Sequence, residues 1–292
     1  MKYLNSHGLP QAYYNAVVRD DYVKYADVSV TALSGSPRQY WLQKRHEAEL
    51  TEDVVNCVWR LFGKAIHYVL EQNKDENSIT EEKIKIDING WSTGGTPDIF
   101  TEEKISDIKT TSCWSIVFDS SKEEYIQQLN AYRYLLMRHG FDKINRIENI
   151  FILRDWHKSM VLKNPEMPKH AIEVVDQTND MWPYDESENY LVSRVKLFQS
   201  YEHVPDDQLP MCTEKERWQS LDRYALMKEG RKSAIKVCDS QEEAERLLAE
   251  KYKKADHIEF RKGVDKKCQD YCSCAPFCDY YKKVYGNNLN KE

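Results

Sequence analysis

The sequence of 292 residues contains no apolar run approaching the ~20 residues that a helix needs to cross a bilayer. Its first residues, MKYLNSHGLPQAYYNAVV, also lack the continuous apolar segment and the small-residue cleavage site of a secretory signal. We therefore expect a protein without a membrane partner that acts in the cytoplasm.

An excess of positive charge is also missing, because the formal net charge is −6. This value argues against a uniformly basic surface for nucleic acid, although Arg261, Lys262, Lys266 and Lys267 form a local basic cluster. A carboxylate-rich metal site would itself add negative charge, so the total does not exclude DNA binding. The hydrophobic fraction of 41% and the charged fraction of 31% are typical of a soluble globular protein.

Residues 94–111, GGTPDIFTEEKISDIKTT, predict a β-hairpin, because two β-prone segments flank the polar residues TEEK. Side chains alternate along a strand, so Asp107 and Lys109 leave one face while Ile108 points into a core. With Asp98 from the first strand, two carboxylates and one ammonium converge. A divalent cation shared by Asp98 and Asp107 would neutralise such a cluster.

This stretch resembles the catalytic motif of the PD-(D/E)xK nuclease superfamily, with Pro97–Asp98 as its first half and Asp107-Ile108-Lys109 as its second. Two flanking segments resemble the RecB-like exonuclease branch, whose members include phage-encoded and CRISPR-associated enzymes. Upstream, GKAIHYVLE carries Gly63, His67 and Glu71, and downstream EEYIQQLNAYRYLLMRHG carries Gln128 and Tyr132, each set at helical spacing.

The resemblance implies a restriction-endonuclease-like α/β (α+β) core with one mixed central sheet flanked by helices. The sequence predicts the same kinds of element: a helix over 51–73, strands over 81–90 and 148–154 and at HAIEVVD, and helices at 123–140 and 185–204. These helices carry apolar residues at helical spacing: Val54, Val58, Leu61, Ile66 and Leu70 in the first, Leu129, Leu135 and Leu136 in the second, and Leu191, Val195 and Phe198 in the third. In the extension, residues 234–255 predict a strand and then a charged helix, and residues 257–263 predict one more strand. We expect residues 111–121 to form a connection. The expected organisation is an N-terminal arm (1–27), a nuclease core (28–204) and a C-terminal cysteine-rich extension (205–292) that packs on the core.

The implied activity is DNA hydrolysis by an exonuclease that requires Mg²⁺ or Mn²⁺. By resemblance, His67, Asp98, Asp107 and the main-chain carbonyl of Ile108 are the metal ligands. Lys109 would stabilise negative charge or orient the attacking hydroxide. Gln128 and Tyr132 would orient the substrate or Lys109, and Glu71 would position the His67 helix.

The expected partners are single-stranded DNA or duplex ends, together with a recombination or replication protein, in a bacterium or a phage-infected host. Two rival functions remain open. One is an inactive nuclease fold that serves as a nucleic-acid-binding or assembly factor, although the acidic residues and the lysine are all present. The other is a restriction-type endonuclease, for which the sequence offers no recognition domain.

Four of the eight cysteines crowd into the tail as Cys268-x3-Cys272-x-Cys274-x3-Cys278, a spacing that suggests a metal site. Iron-sulfur members of the branch carry three C-terminal cysteines and one N-terminal cysteine, so the resemblance favours a 4Fe-4S cluster. Ser36 stands at the N-terminal position here. The fourth ligand is then Cys274 or Cys57, and structural Zn²⁺ or no metal remain alternatives. For Cys57 itself, we expect a buried core thiol rather than a metal ligand.

Overall fold

The computed structural model describes residues 1–19, 24–73, 76–119 and 122–286. The chain divides into two compact units, Met1–Pro205 and Asp206–Glu292. Both units combine helices with β-sheet. Within the described residues, no helix is long and apolar enough to cross a membrane. Residues 20–23 of the predicted arm, and 120–121 of the predicted connection, lie outside the described part of the chain.

The first unit alternates strands and helices along its length. Its elements in chain order are β1 (Lys2–Leu4), α1 (Gln11–Val18), β2 (Val28–Ser29), α2 (Val30–Leu33), α3 (Pro37–Arg45), β3 (Thr51–Asp53), α4 (Val58–Gln72), β4 (Ile79–Thr80), β5 (Ile84–Ile88), β6 (Trp91–Gly95), β7 (Ile99–Phe100), β8 (Lys104–Thr111), α5 (Cys113–Asp119), α6 (Glu123–Arg138), β9 (Arg146–Leu153), α7 (Lys158–Lys163), β10 (Ile172–Asp176) and α8 (Tyr184–Ser200).

The described strands of this unit form three sheets. The largest has the order β10-β9-β8-β7-β4 and is mixed, because β8 and β9 run parallel while the other pairs are antiparallel. A second sheet has the order β2-β6-β5, and β1 pairs with β3. The prediction of one central sheet was therefore wrong. The chain leaves β6 through Pro97, which has no N–H to donate to a ladder, and it then enters the other sheet.

The core of the unit follows the predicted apolar stripes of two helices. In α6, Leu129, Leu135 and Leu136 are fully buried, and in α8 the same holds for Leu191, Val195 and Phe198. All six belong to one hydrophobic cluster that also contains β-strand residues from both larger sheets. Helical periodicity thus predicted the packed faces correctly.

Two local predictions were wrong. The segment 51–73 is not one helix, because Thr51–Asp53 pair with β1 and the Asp53 carboxylate then caps a 3-10 turn by accepting from Val55 N. Val58, placed in the predicted apolar stripe, is 43% exposed. Cys113–Asp119, expected in a connection, is helical, with its first amide donating to the Asp155 carboxylate over 2.7 Å.

The second unit contains a small antiparallel sheet. Its elements are α9 (Glu214–Arg217), β11 (Arg223–Met227), β12 (Lys236–Cys238), α10 (Gln241–Glu250), β13 (His257–Arg261), α11 (Lys266–Asp270) and α12 (Asp279–Tyr285), with the strands in the order β12-β11-β13. Leu226, Cys238 and Ala244 are buried between the sheet and α10. The sequence predicted β12, α10 and β13. It missed β11, whose residues RYALM include strong helix formers and lack a clear alternation.

Candidate active site

The hairpin of β7 and β8 brings the first carboxylate to the Asp-x-Lys strand. The strands pair with Ile99 opposite Ser106, and Thr101 Oγ1 closes the turn by accepting from Lys104 N over 3.1 Å. Asp98 directly precedes β7, and its Oδ2 accepts from the backbone N–H of Ile108 over 2.5 Å. The hairpin therefore fixes Asp98 against the middle of the Asp107–Lys109 triplet.

Alternation along β8 places Asp107 and Lys109 together. Lys109 Nζ lies 2.6 Å from Asp107 Oδ2, and the Ile108 side chain is buried. Asp107 is only 1% exposed, because β8 lies between β7 and β9 and both of its faces are covered. Opposite Asp107 in the parallel ladder stands Asn149, whose Nδ2 donates to Asp107 Oδ2 over 3.1 Å.

A histidine and two carboxylates form a second part of the site. His67 Nδ1 lies 3.0 Å from Glu81 Oε1 and 3.3 Å from Asp98 Oδ1. One ligand atom from each of these residues lies within 4.8 Å of the other two, so that they can hold one metal ion. All three are partly exposed, so a hydrated cation has access to them.

Glu81 is the member of this group that sequence reasoning missed. It precedes β5 with a φ of 52°, a left-handed conformation that side chains other than glycine rarely adopt. Its amide donates to the Asp98 carbonyl over 3.2 Å, which ties its backbone to the segment that carries Asp98. A strained backbone of this kind is typical of functional sites. Glu71, the acidic residue that the motif suggested as a helper for His67, is exposed to solvent.

The environment of the site raises two pKa values above those of free side chains. Hydrogen bonds to Asp98 and Glu81 raise the pKa of His67 to about 10. Burial raises the pKa of Asp107 to about 6, against the attraction of the Lys109 ammonium. The negative charge of Asp98, which also lies beside His67, raises the pKa of Asp107 further.

Helix α6 supplies the residues behind the lysine. Gln128 Oε1 accepts from Lys109 Nζ over 2.9 Å, and Gln128 Nε2 donates to the Tyr132 hydroxyl over 2.7 Å and to Thr31 Oγ1 over 3.3 Å. Burial raises the pKa of Tyr132 well above its usual range. The tyrosine ring fills the space above Gly95, where a Cβ would lie 2.7 Å from Tyr132 Cε1. Gln128 thus orients the ammonium, and Tyr132 orients Gln128.

Helix α4 approaches the same strand at a glycine. A Cβ on Gly63 would meet Thr110 Oγ1 at 3.5 Å, an ordinary van der Waals distance. Thr110 belongs to β8, so α4 contacts this strand at Gly63. This approach places His67, one turn later in α4, beside the hairpin.

The remaining cysteines and Ser36 have structural environments of their own. Cys57 is 1% exposed and belongs to a hydrophobic cluster with Val17 and Val54, as expected for a core thiol. Ser36 caps α3, with its hydroxyl accepting from Gln39 N. In the tail, Cys272 and Cys274 have their sulfurs 3.4 Å apart. Within the described residues, no three cysteine sulfurs lie within 4.8 Å of one another.

Taken together, the first unit holds an imidazole and two carboxylates around one potential metal position, next to a buried aspartate and an oriented ammonium. Carboxylate and imidazole ligands hold a divalent cation. An ammonium beside them suits a substrate on which negative charge accumulates during the reaction.

Comparisons with known proteins leave the family open. No family model and no curated protein matches the chain. A solved structure described as the crystal structure of SSO0001 aligns with a TM-score of 0.43 and 16% identity, over 63% of this chain and 81% of that one. At this distance the likeness identifies neither a family nor an activity.

Proposed function

We propose that the protein is a metal-dependent nuclease that hydrolyses phosphodiester bonds in DNA. The observation that carries this proposal is the convergence of His67, Glu81 and Asp98 within 4.8 Å, beside a lysine held by Asp107. The proposal includes a restriction-endonuclease-like core over residues 28–204, cytoplasmic action, and DNA single strands or duplex ends as substrate. We favour an exonuclease over an endonuclease.

The ligand set suits Mg²⁺ or Mn²⁺. Two carboxylates and one imidazole supply three ligand atoms, and both ions keep or accept water at their remaining positions. A bound divalent ion lowers the pKa of a water ligand and polarises a phosphoryl oxygen. Asp98 has a double role, because Oδ1 faces the histidine while Oδ2 is anchored by Ile108 N.

Lys109 provides the second element of catalysis. Its Nζ is fixed between Asp107 Oδ2 at 2.6 Å and Gln128 Oε1 at 2.9 Å, and its side chain is 22% exposed. An ammonium held in this way stabilises the charge that develops on the phosphate oxygens, with no reorganisation at the moment of reaction. The buried Asn149–Asp107 bond keeps the aspartate in the orientation that the lysine requires.

A surface beside the site fits nucleic acid. Trp59 is 50% exposed, and the Arg154 guanidinium lies over its ring at 4.3 Å. Trp59 precedes Gly63 and His67 at intervals of four residues, so all three share one face of α4. Eight residues of helix correspond to about 12 Å. A nucleic-acid strand with one base stacked on Trp59 would thus extend to the potential metal position.

A stacked pair of aromatic residues in α5 extends this surface. Trp114 and Phe118 of α5 stack with a centroid distance of 5.6 Å and are 45% and 79% exposed. The backbone N–H of Cys113 donates to the Asp155 carboxylate, so α5 begins beside the end of β9. Trp114 and Arg154 are the chain neighbours of these two residues and therefore lie in the same region. Exposed aromatic rings beside a cation are the means by which proteins bind single-stranded nucleic acid without sequence preference.

A labelled-strand assay tests this function. Purified protein is incubated with 5′- and 3′-labelled single-stranded and duplex DNA, in Mg²⁺, in Mn²⁺ or in EDTA, and products are resolved on a denaturing gel. We expect degradation only with the cations, and the label that is lost first gives the polarity. Cleavage in EDTA, or none under any condition by folded protein, would contradict the proposal.

A further inference from the structure

The second unit contains six of the eight cysteines, and five of them lie in the segments that precede or follow one buried ion pair in the sequence. Cys238 is the exception, because it is buried between the sheet and α10. The five are Cys212, Cys268, Cys272, Cys274 and Cys278. All eight cysteines lie in the described ranges, and none of them forms a disulfide. The ion pair is formed by Arg217 and Asp265, which are 8% and 2% exposed.

Arg217 ties the segment of Cys212 to the segment of Cys268. Its Nε donates to Asp265 Oδ1 over 3.0 Å, and its Nη1 donates to the backbone carbonyl of Cys212. Asp265 stands three residues before Cys268, which lies in α11. One guanidinium therefore fixes the Cys212 backbone against the start of the tail, although 56 positions separate the two cysteines in the sequence.

Neighbouring contacts hold the same two segments together. Gln219 pairs with Asp265 in a β-bridge, and Ser220 N donates to the Val264 carbonyl over 3.0 Å. The Trp218 ring lies 5.3 Å from that of Tyr271, which directly precedes Cys272. The approach of the Cys212 segment to the tail is thus fixed by backbone and side-chain contacts independent of any cysteine.

The end of the tail returns to the same ion pair. Asp265 Oδ2 accepts from the Tyr280 hydroxyl over 2.6 Å and from the Tyr285 hydroxyl over 3.0 Å. Both tyrosines belong to α12, which begins directly after Cys278. The Arg217 guanidinium also lies 5.0 Å from the centre of the Tyr280 ring. This ion pair therefore contacts three segments of the chain, which carry or adjoin Cys212, Cys268 and Cys278.

We propose that Cys212 joins Cys268, Cys272 and Cys278 as four thiolate ligands of one metal centre contained within the C-terminal unit. Cys274 is then a buried thiol that hydrogen-bonds Cys272 across the 3.4 Å contact. This assignment replaces both earlier candidates for the fourth ligand, Cys274 and Cys57. It also explains how the centre is completed without a thiol at Ser36, which caps a helix in the first unit.

Thiolate ligands select zinc or an iron-sulfur cluster, since sulfur is a soft ligand. A tetrahedral zinc site with Zn–S bonds of ~2.3 Å places its sulfurs about 3.8 Å apart. Within the described residues, no three cysteine sulfurs approach one another even to 4.8 Å. Ligands on different irons of a cluster stand farther apart than ligands on one ion. Iron is therefore the first metal to measure.

Metal content in matched variants tests the ligand set. The full chain and its Cys212→Ser, Cys274→Ser and Cys238→Ser variants are purified without oxygen, and iron, zinc and visible absorbance are measured per chain. We expect Cys212→Ser to contain at least tenfold less metal per chain than the unmodified protein, while Cys274→Ser and the buried control Cys238→Ser retain their metal. Visible absorbance with iron identifies a cluster, and colourless protein with zinc identifies a zinc site. Full metal in Cys212→Ser, or loss only in Cys274→Ser, would overturn the proposal.

A second measurement uses the unmodified chain, in case a variant does not fold. The protein is alkylated with iodoacetamide before and after treatment with a chelator, and each cysteine is quantified by mass spectrometry. Cys212, Cys268, Cys272 and Cys278 should gain reactivity together on metal removal. Alkylation of Cys212 that is the same with and without metal, or protein that carries no metal at all, would contradict the assignment. Neither readout depends on nuclease activity.

Discussion

Ile108 donates its backbone N–H to Asp98 Oδ2 over 2.5 Å, so the strand that presents Asp107 and Lys109 also orients the carboxylate that faces His67. One hairpin therefore couples the potential metal position to the lysine. A hydrogen bond to an ionised carboxylate contributes about 1.5–3 kcal/mol. The arrangement of the site thus depends on the backbone of β8 as well as on its side chains.

The position of Glu81 predicts that it contributes to cation affinity. Glu81→Gln should raise the Mn²⁺ concentration needed for half-maximal cleavage by roughly 10- to 100-fold, because even outer partners of a metal have effects of this size. Saturating Mn²⁺ should restore much of the rate. The matched control is Glu71→Gln, since Glu71 is exposed. A Glu71 variant that is the more impaired of the two would contradict the site described here.

Alanine substitutions at the two glycines that contact the site should have different effects on the stability of the fold. Gly95→Ala should destabilise the fold by about 1–3 kcal/mol, because the new Cβ would lie 2.7 Å from the Tyr132 ring. Gly63→Ala should be neutral or stabilise the fold by up to about 1 kcal/mol, since Ala favours a helix interior and the nearest atom is 3.5 Å away. Urea unfolding of both variants checks this prediction, and equal effects would speak against the packing at Gly95.

The raised pKa of His67 predicts that metal binding releases a proton. The pKa of His67 is about 10, so at pH 7.5 the ring is protonated, whereas a metal ligand must be neutral. Apparent Mn²⁺ affinity should therefore rise with pH, by about tenfold per unit while the ring remains charged. Calorimetry in two buffers of different ionisation enthalpy should detect about one proton released per ion. His67→Gln should abolish this release, and an unchanged proton count in that variant would remove His67 from the site.

The exposed Trp59 predicts a role in substrate binding. Trp59→Ala should raise KM for single-stranded DNA by about 5- to 100-fold, with little change in kcat, because a base stacked on an aromatic ring contributes ~1–3 kcal/mol. Tyr68→Ala is the control: Tyr68 is 63% exposed in the same helix, nine positions later and about half a turn around it. Equal effects of the two variants would show that the tryptophan does not contact the substrate.

Local patterns predicted much of the fold. The hairpin and the buried stripes of α6 and α8 follow from alternation and from helical spacing, which depend only on neighbouring residues. The contact between Asp107 and Lys109 has the same origin. The division of β5 to β8 between the two larger sheets was not predictable in this way, because it depends on where the chain turns at Pro97.

The residues that sequence reasoning missed are those placed by tertiary contacts. Glu81 lies in a turn and reaches His67 across 14 positions, and Asn149 meets Asp107 only through the register of β8 and β9. The one available signal for Asn149 was an asparagine directly before the apolar residues IFIL of β9. Cys212 carries no motif of its own, and its relation to the tail depends on the Arg217–Asp265 pair.

The most direct test of the central claim compares two lysines of β8. Lys109 faces Asp107 and Gln128, whereas Lys104 pairs with Glu148 at 2.8 Å. With Mg²⁺ or Mn²⁺ present, the single-turnover rate of DNA cleavage should fall at least ~100-fold in Lys109→Met, since an electrostatic donor to the transition state contributes ~3 kcal/mol or more. The rate in Lys104→Met should stay close to that of the unmodified protein. Cleavage by a folded Lys109→Met variant at the unmodified rate would contradict the account.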